Sequence, residues 1–425
     1  MASVSGETHK KQRKMLNGVF STKHIKNLTP TFYEVSHRLV SALSQSVQDG
    51  PKELNILEWM GRTSLELIGQ AGLGHSLDPL VENAGKDTFV GALKNYSPQF
   101  FRPEAMPYHQ ALAWSRKVGL GPICEWVIEH SPQRTMRELC GIAKTLHRKS
   151  IEIVMSKKAA LESGDLQGGN DIMTILLQAN SGASAQDKLP DNQLVAQIST
   201  LLFAATDSTS NALAKILHVL CERPDAQQGL RDEILAASDG NDLPYDAIDT
   251  LPYLDAICKE TLRLYPLTPI GHRQAYRDTT LPFSKPVRGT DGSLLESVFI
   301  LKDTIVVYSI SECNRNKELW GDDADEWKPE RWLAPLPRAI EQASVPGPWA
   351  HLMTFSGGAH ACIGYKFTLV EMKIVLSLLI SNFSFELSQD KPIHWNNSGL
   401  IFPTVSSEGS EPEMWLRVAK YRSNT

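Results

Sequence analysis

The chain has 425 residues, 42% apolar and 21% charged, a balance that excludes a disordered protein. Its 28 Gly and 24 Pro fall in no period, which excludes a collagen-like one. With 43 Lys and Arg against 48 Asp and Glu the formal charge is −5, and no nucleic-acid partner is expected of so acidic a chain.

Apolar residues recur at helical spacing over 7–20, 31–48, 56–73 and roughly 84–96. They recur again over 133–162, a long amphipathic helix with a basic face, followed by the Gly-rich break SGDLQGGND. Residues 191–221 form the most apolar helix, opened by Pro190 and Asp191 and closed before Pro224. Helices over about 224–237 and 253–264 come next. From 265 to 350 Pro and Gly recur, with β-type runs at Ser297–Leu301 and Thr304–Ile310 and a turn at DGS, 291–293. A last helix covers about 363–380, and a short β-rich tail closes the chain. There is no internal repeat and no low-complexity linker. The expected architecture is mainly α with a minor β portion, an α+β fold in one domain over 1–425.

Six cysteines stand at 124, 140, 221, 258, 313 and 362, with no C-x-x-C pair. That is too few for a disulfide scaffold, so reduced thiols and an intracellular compartment are expected. The N-x-S/T matches at Asn27, Asn95, Asn382 and Asn396 then carry no weight. No signal peptide is visible, and a spanning helix needs about 20 apolar residues in a row. Stretches such as Ile374 to Ile380 are far shorter.

The strongest signal is Phe355-Ser-Gly-Gly-Ala-His-Ala-Cys-Ile-Gly364. Cys362 stands between a loop of small residues and the start of the last helix. Glycines at 357, 358 and 364 let backbone approach something bulky, because no Cβ intervenes. The free N–H groups and positive dipole end of a helix N-terminus favour a thiolate. A thiolate among backbone donors suits a soft metal. A lone cysteine is more often a buried structural one, and the surroundings decide otherwise here.

The pattern F-x-x-G-x-H-x-C-x-G resembles the haem-binding loop of the cytochrome P450 family, whose iron is held by a cysteine thiolate. The resemblance implies Cys362 as the proximal ligand of haem b, with Gly358 and Gly364 in the cradle and Phe355 packed beside sulfur and ring. His360 takes the place of a basic residue that pairs with a haem propionate. Tyr365-Lys-Phe-Thr-Leu-Val-Glu-Met-Lys373 is similar to the family's following helix. Glu260-Thr-Leu-Arg263 matches E-x-x-R, whose ends share a helix face. Alone it is a solvated pair of little weight. With Arg331 of Pro329-Glu-Arg-Trp332 downstream, the resemblance implies a buried, structural charge triad that locks the cysteine loop. Arg273 matches the second propionate position. Gly6-Glu-Thr-His9-Lys-Lys-Gln-Arg13 resembles the helix that holds a propionate through residues four apart, here His9 and Arg13.

Within the apolar helix, Ala204-Ala-Thr-Asp-Ser-Thr-Ser210 resembles the oxygen-activation motif A/G-G-x-D/E-T-T/S. An acid beside a hydroxyl in such a helix needs a reason, since burying a carboxylate is costly. The resemblance implies Ala204 against the haem and Asp207, Ser208 and Thr209 as the catalytic group. Ser208 would hydrogen-bond bound oxygen or a water, and Asp207 would relay protons. Ala205 stands where Gly is commonest and Ser208 where Thr is commonest. Serine keeps the hydroxyl and loses the methyl that orients it, which bears on oxygen coupling.

The function implied is a haem-thiolate monooxygenase. It would insert one atom of O2 into a lipophilic small molecule, with electrons from NADPH through NADPH–cytochrome P450 reductase. The pocket walls expected are Phe203 and Ala204, Leu267–Gly271, Leu400–Phe402 and loosely 89–130, mostly apolar. Fungal members are most similar in spelling, which implies secondary metabolism and a terpenoid or polyketide-like substrate. Lys10, Lys11, Arg13, Lys14, Lys366 and Lys373 offer a cationic docking face for the reductase. One alternative is a reductase-independent haem-thiolate isomerase or dehydratase acting on a peroxide, against which the Asp207–Ser208 pair argues. Another is a non-catalytic remnant. The resemblance spans about Gly6 to Arg417 and lacks the family's opening part. An N-terminally truncated fold is therefore expected, whose full-length form is anchored on the cytosolic face of the endoplasmic reticulum membrane. The chain by itself would be soluble and intracellular.

Overall fold

The structure, a computed structural model, describes residues 4–81, 100, 105–164, 169–408 and 411–421. The helix expected over 84–96 and the Asn95 sequon lie outside the described residues, as does much of 89–104. Serines precede the first two helices, α1 (Gly6–Val19) and α2 (Thr22–Ser46), and Ser21 accepts a hydrogen bond from the His24 amide. α2 starts at Thr22, well before the apolar pattern at 31, and runs through Pro30. Proline there removes the hydrogen bond to the Lys26 carbonyl, but both residues face solvent, so that carbonyl is open to water. After strand β1 (Lys52–Asn55), α3 (Ile56–Leu67) relaxes into a π turn over Ile68–Gly72.

Four helices lead up to the middle of the chain: α4 (Met106–Lys117), α5 (Gly121–Glu129), α6 (Arg134–Glu162) and α7 (Ile172–Ser181). α4, α5 and α7 are short and are not among the elements expected from sequence, although α7 buries a helically spaced row of Ile172, Met173, Leu176 and Leu177. α8 (Asp191–Glu222) is the axis of the fold. Its first part buries one face through Leu194, Ile198 and Leu201; from Thr209 to Cys221 every residue is buried. Burial all round is what an apolar core helix requires. α9 (Pro224–Ser238), α10 (Tyr245–Thr250) and α11 (Pro252–Leu264) follow, and α9 and α11 begin at proline, whose missing N–H costs nothing at that position.

The strands are short and antiparallel throughout. β2 (Ile270–Gln274) pairs with β5 (Ile305–Ser309), and β3 (Thr279–Arg288) with β4 (Leu294–Ile300) across a turn in which Gly292 takes φ +84°. Three short helices, α12 (Ile310–Asn314), α13 (Lys317–Trp320) and α14 (Arg338–Gln342), precede α15 (Tyr365–Asn382). Of the tail strands, β6 (Phe383–Leu387) pairs with β9 (Trp415–Lys420), which also takes β1, setting Leu54 opposite Leu416. β7 (His394–Asn397) and β8 (Ile401–Thr404) form a separate hairpin. One hydrophobic cluster runs from Leu16 to Val418 and gathers α2, α3, α8, α11 and α15. The mainly helical α+β architecture agrees with the expectation from sequence.

Candidate functional site

Glu260 and Arg263 lie three apart on α11 and are both fully buried. Arg263 donates to both Glu260 oxygens, at 2.9 and 2.8 Å. Arg331 adds a bond to Glu260 Oε1 at 3.0 Å, and the Trp332 indole one to Oε2 at 2.9 Å. A buried carboxylate is tolerable because each oxygen is satisfied. The remaining Arg263 donors reach the carbonyls of Asn314, Ala324 and Glu326. Asn314, which sequence reasoning missed, passes this order on. Its side chain donates to Thr354 Oγ1 at 2.8 Å and accepts from the Met353 amide at 2.8 Å. Thr354 donates to the Leu262 carbonyl. The triad thus holds the segment immediately before Phe355.

From Phe355 the chain turns tightly back on itself, and the Cys362 amide donates to the Phe355 carbonyl at 2.8 Å. Gly358 adopts φ +69°, a conformation costly for other residues. A Cβ at Gly357 would lie 2.9 Å from the Pro346 carbonyl oxygen, so the close approach there is to protein backbone. Gly364 caps α15, and its N–H faces Cys362. The Cys362 side chain is open to a cavity. Even so, burial by the surrounding protein pushes its thiol above the usual range, while the Gly364 amide and Arg13 pull it down. The helix-end amide and a nearby cation thus act on the Cys362 sulfur in the direction expected of that position, against the effect of burial.

His9 on α1 is buried and stacks on His360, ring centroids 4.0 Å apart. Burial lowers the His9 pKa, helped by His360 and Arg13. Arg13, one turn on, donates to the Ala361 carbonyl. Arg273 on β2 donates to Ser356 Oγ at 3.1 Å and lies over the Tyr308 ring. His9, Arg13, His360 and Arg273, far apart in sequence, all therefore meet the cysteine loop.

The cavity measures about 600 Å³. Cys362, Phe355 and His360 line it from the loop, Thr368 and Met372 from α15, and Ser208 and Ala212 from α8. Leu267, Thr268, the β2 residues Ile270 to Gln274 and Tyr308 add to the wall, with Leu262, Ile310, Thr354 and Ser356 beside them. Ser208 donates to the Ala204 carbonyl at 2.6 Å. Of the four α8 residues singled out, Ser208 alone is among the lining residues. Ala204 is exposed beside it, Asp207 is half-buried, and the Asp207 carbonyl accepts from Asn211 at 2.7 Å. Thr209 is fully buried on another face, towards Glu371 of α15. Likewise Phe203 and Leu400–Phe402 do not line this cavity; the tail hairpin instead bonds a lining segment, Ile401 N to Leu267 O at 2.8 Å. The cationic face is also smaller than expected. Lys373 is buried in ion pairs with Asp255 and Asp249, and Lys10 and Lys14 are paired with Glu7 and Asp187.

One soft sulfur at the wall of a cavity, with cations at the same loop, suits an iron that arrives in its own macrocycle. No group of three or more His, Cys, Asp or Glu among the described residues could hold a bare ion. The volume falls within the range of about 300–1,000 Å³ usual for small-molecule and cofactor sites. The residues present therefore fit a haem.

Fold and site together define a haem-thiolate protein, and comparison with known proteins agrees. The family model described as "Cytochrome P450" matches residues 1–408. The chain belongs to the cytochrome P450 family. It is 46% identical to Cytochrome P450 monooxygenase 81 of Postia placenta over 437 residues, covering all of this chain and 78% of that protein. It is 43% identical to a ganoderic acid synthetase of Ganoderma lucidum, covering 98% and 77%. A crystal structure of a cytochrome P450 superposes with TM-score 0.73 over 99% of this chain and 80% of that one; at 22% identity it speaks for the fold alone. The protein is an enzyme of this monooxygenase family. No helix among the described residues is long and apolar enough to cross a membrane.

Proposed function

We propose that the chain, acting as one haem domain, inserts one atom of O2 into a lipophilic small molecule of fungal secondary metabolism, of terpenoid or polyketide-like character. The observation that carries this is the single cavity shared by Cys362 and Ser208, walled largely by apolar groups. The ganoderic acid synthetase among its relatives supports the substrate class. In this reading Cys362 would hold the haem iron through its sulfur, and His9, Arg13, His360 and Arg273 would neutralise the propionates. Phe355, Gly358 and Gly364 shape the cradle, and Ala204 borders it. The haem, when bound, supplies the site of O2 reduction, and a thiolate ligand favours O–O cleavage. Ser208 holds a hydroxyl at the cavity, Asp207 moves protons towards it from the half-buried side of α8, and Thr209 supports α8 from behind.

Electrons come from NADPH through a cytochrome P450 reductase at the cytosolic face of the endoplasmic reticulum. The test is turnover of lipophilic terpenoids by the purified chain with reductase and NADPH under ¹⁸O₂. One labelled oxygen in the product is expected. Product that forms from a peroxide without reductase, or that takes its oxygen from water, contradicts the reading.

A further inference from the structure

Ser208, Ala212 and Lys215 lie at i, i+4 and i+7 on α8 and share one stripe of the helix. The first two line the cavity; the third lies one turn beyond it. Lys215 is 9% exposed and makes no ion pair among the described residues. Its ammonium sits 4.0 Å from the centroid of the Tyr265 ring and 4.5 Å from that of Trp395. A desolvated cation between two aromatic faces is held by the ring quadrupoles. Burial, aided by Arg315 and opposed by Glu222, lowers Lys215 to about 8, so the ammonium form prevails at neutral pH.

The two rings belong to segments that matter for the cavity. Tyr265 is two residues before Leu267, a lining residue. Trp395 lies on β7, and its indole also donates to His218 Nδ1 on α8 at 2.9 Å. His218 is pushed down to about 4, first by burial and then by Lys215, so a neutral ring accepts that bond. The same hairpin donates from Ile401 to the Leu267 carbonyl. Three walls or supports of the cavity therefore meet at one ammonium: α8, the 265–268 segment and the β7–β8 hairpin.

We propose that Lys215 is a positioning residue for the substrate wall, its ammonium clamping Tyr265 and Trp395 so that the hairpin and Leu267 keep their register against α8. This rests on reading the cavity as the substrate site. Lys215 touches no reacting atom; it acts through Leu267.

The experiment compares the full chain with Lys215→Met, which keeps the stem and loses the charge, and Lys215→Arg, which keeps a cation able to stack on both rings. Amide hydrogen exchange is read over 265–268 and 394–404. Binding of 4-phenylimidazole, which fills a haem pocket from the iron outward, is read from its spectral shift. Lys215→Met is expected to exchange about tenfold faster in the hairpin, the factor equivalent to about 1.4 kcal/mol of clamp energy. It should bind the azole about fivefold more weakly, a loss within what one such contact supplies. The ferrous carbonyl band should persist, and Lys215→Arg should behave as the parent. Should Lys215→Met fail to fold, Trp395→Leu, at the half-buried hairpin, is expected to give the same exchange and azole changes. Parent-like exchange in both charge-removing and ring-removing variants overturns the proposal, as does an Arg variant no better than Met. Absence of a carbonyl band in the parent chain would contradict the haem reading instead, and hydrogen exchange would still decide the clamp.

Discussion

Glu371 on α15 is buried, and its carboxyl faces the Thr209 hydroxyl of α8 with no other hydrogen-bond partner among the described residues. Burial pushes the carboxyl up to about 8, with the Thr209 hydroxyl acting in the opposite direction. The acid stays protonated in the folded chain while the unfolded chain has already lost the proton. Its stabilising effect is whole below the ordinary carboxylate range of about 4.3 and is lost as pH rises towards 8, at about 1.4 kcal/mol per unit. Glu371→Gln should flatten that part of the stability-against-pH curve relative to the parent, measured by urea unfolding between pH 5 and pH 8. An unchanged slope would show that Glu371 ionises freely. Glu260 is the opposite case, a buried charge with every oxygen engaged. Glu260→Ala strands two arginines and is expected to cost about 3–5 kcal/mol. Circular dichroism and haem content should show poorly folded, haem-free protein; a folded, haem-loaded, inactive variant would contradict the structural role. The E-x-x-R spacing made Glu260 legible in the sequence. Glu371 was visible only as an acid within an apolar run, and nothing in its spacing says which helix it faces.

Among the elements, α8 carries the chemistry on a narrow stripe. Ser208 reaches the cavity and leans on its own helix through the Ala204 carbonyl, while Thr209, one residue on, turns some 100° away as a helix of 3.6 residues per turn requires. Ser208→Ala should keep the haem spectrum and azole binding but divert reducing equivalents from product to peroxide. If product formed per NADPH is unchanged, Ser208 delivers no proton. The motif locates α8 and its acid–hydroxyl pair; the turn angle places Thr209 away from the cavity that Ser208 lines. The cysteine loop was legible residue by residue because each of its constraints is local. Its support by Asn314 and Thr354 was not, because those bonds span 40 and 92 residues and neither side chain has a motif of its own.

For the whole molecule, helix period and proline punctuation were enough to read α1, α6, α8, α9, α11 and α15 nearly to their ends. They failed where context overrides them, as at Pro30 inside α2, and where the helix is short, as in α4, α5 and α7. Sheet pairing was beyond reach, since β1 meets β9 from the far end of the chain. Each of the four cations stands at its own family position in the sequence, and the fold brings all four to the cysteine loop. The central claim is that Cys362, alone of six cysteines, presents a thiolate to haem iron in this cavity. The measurement is the carbon-monoxide difference spectrum of the purified, haem-supplied chain and of its six Cys→Ala variants. A red-shifted thiolate-type carbonyl band is expected in the parent and in the variants at 124, 140, 221, 258 and 313, and absent at Cys362→Ala. A band that survives in Cys362→Ala, or that never forms in the parent, would contradict it.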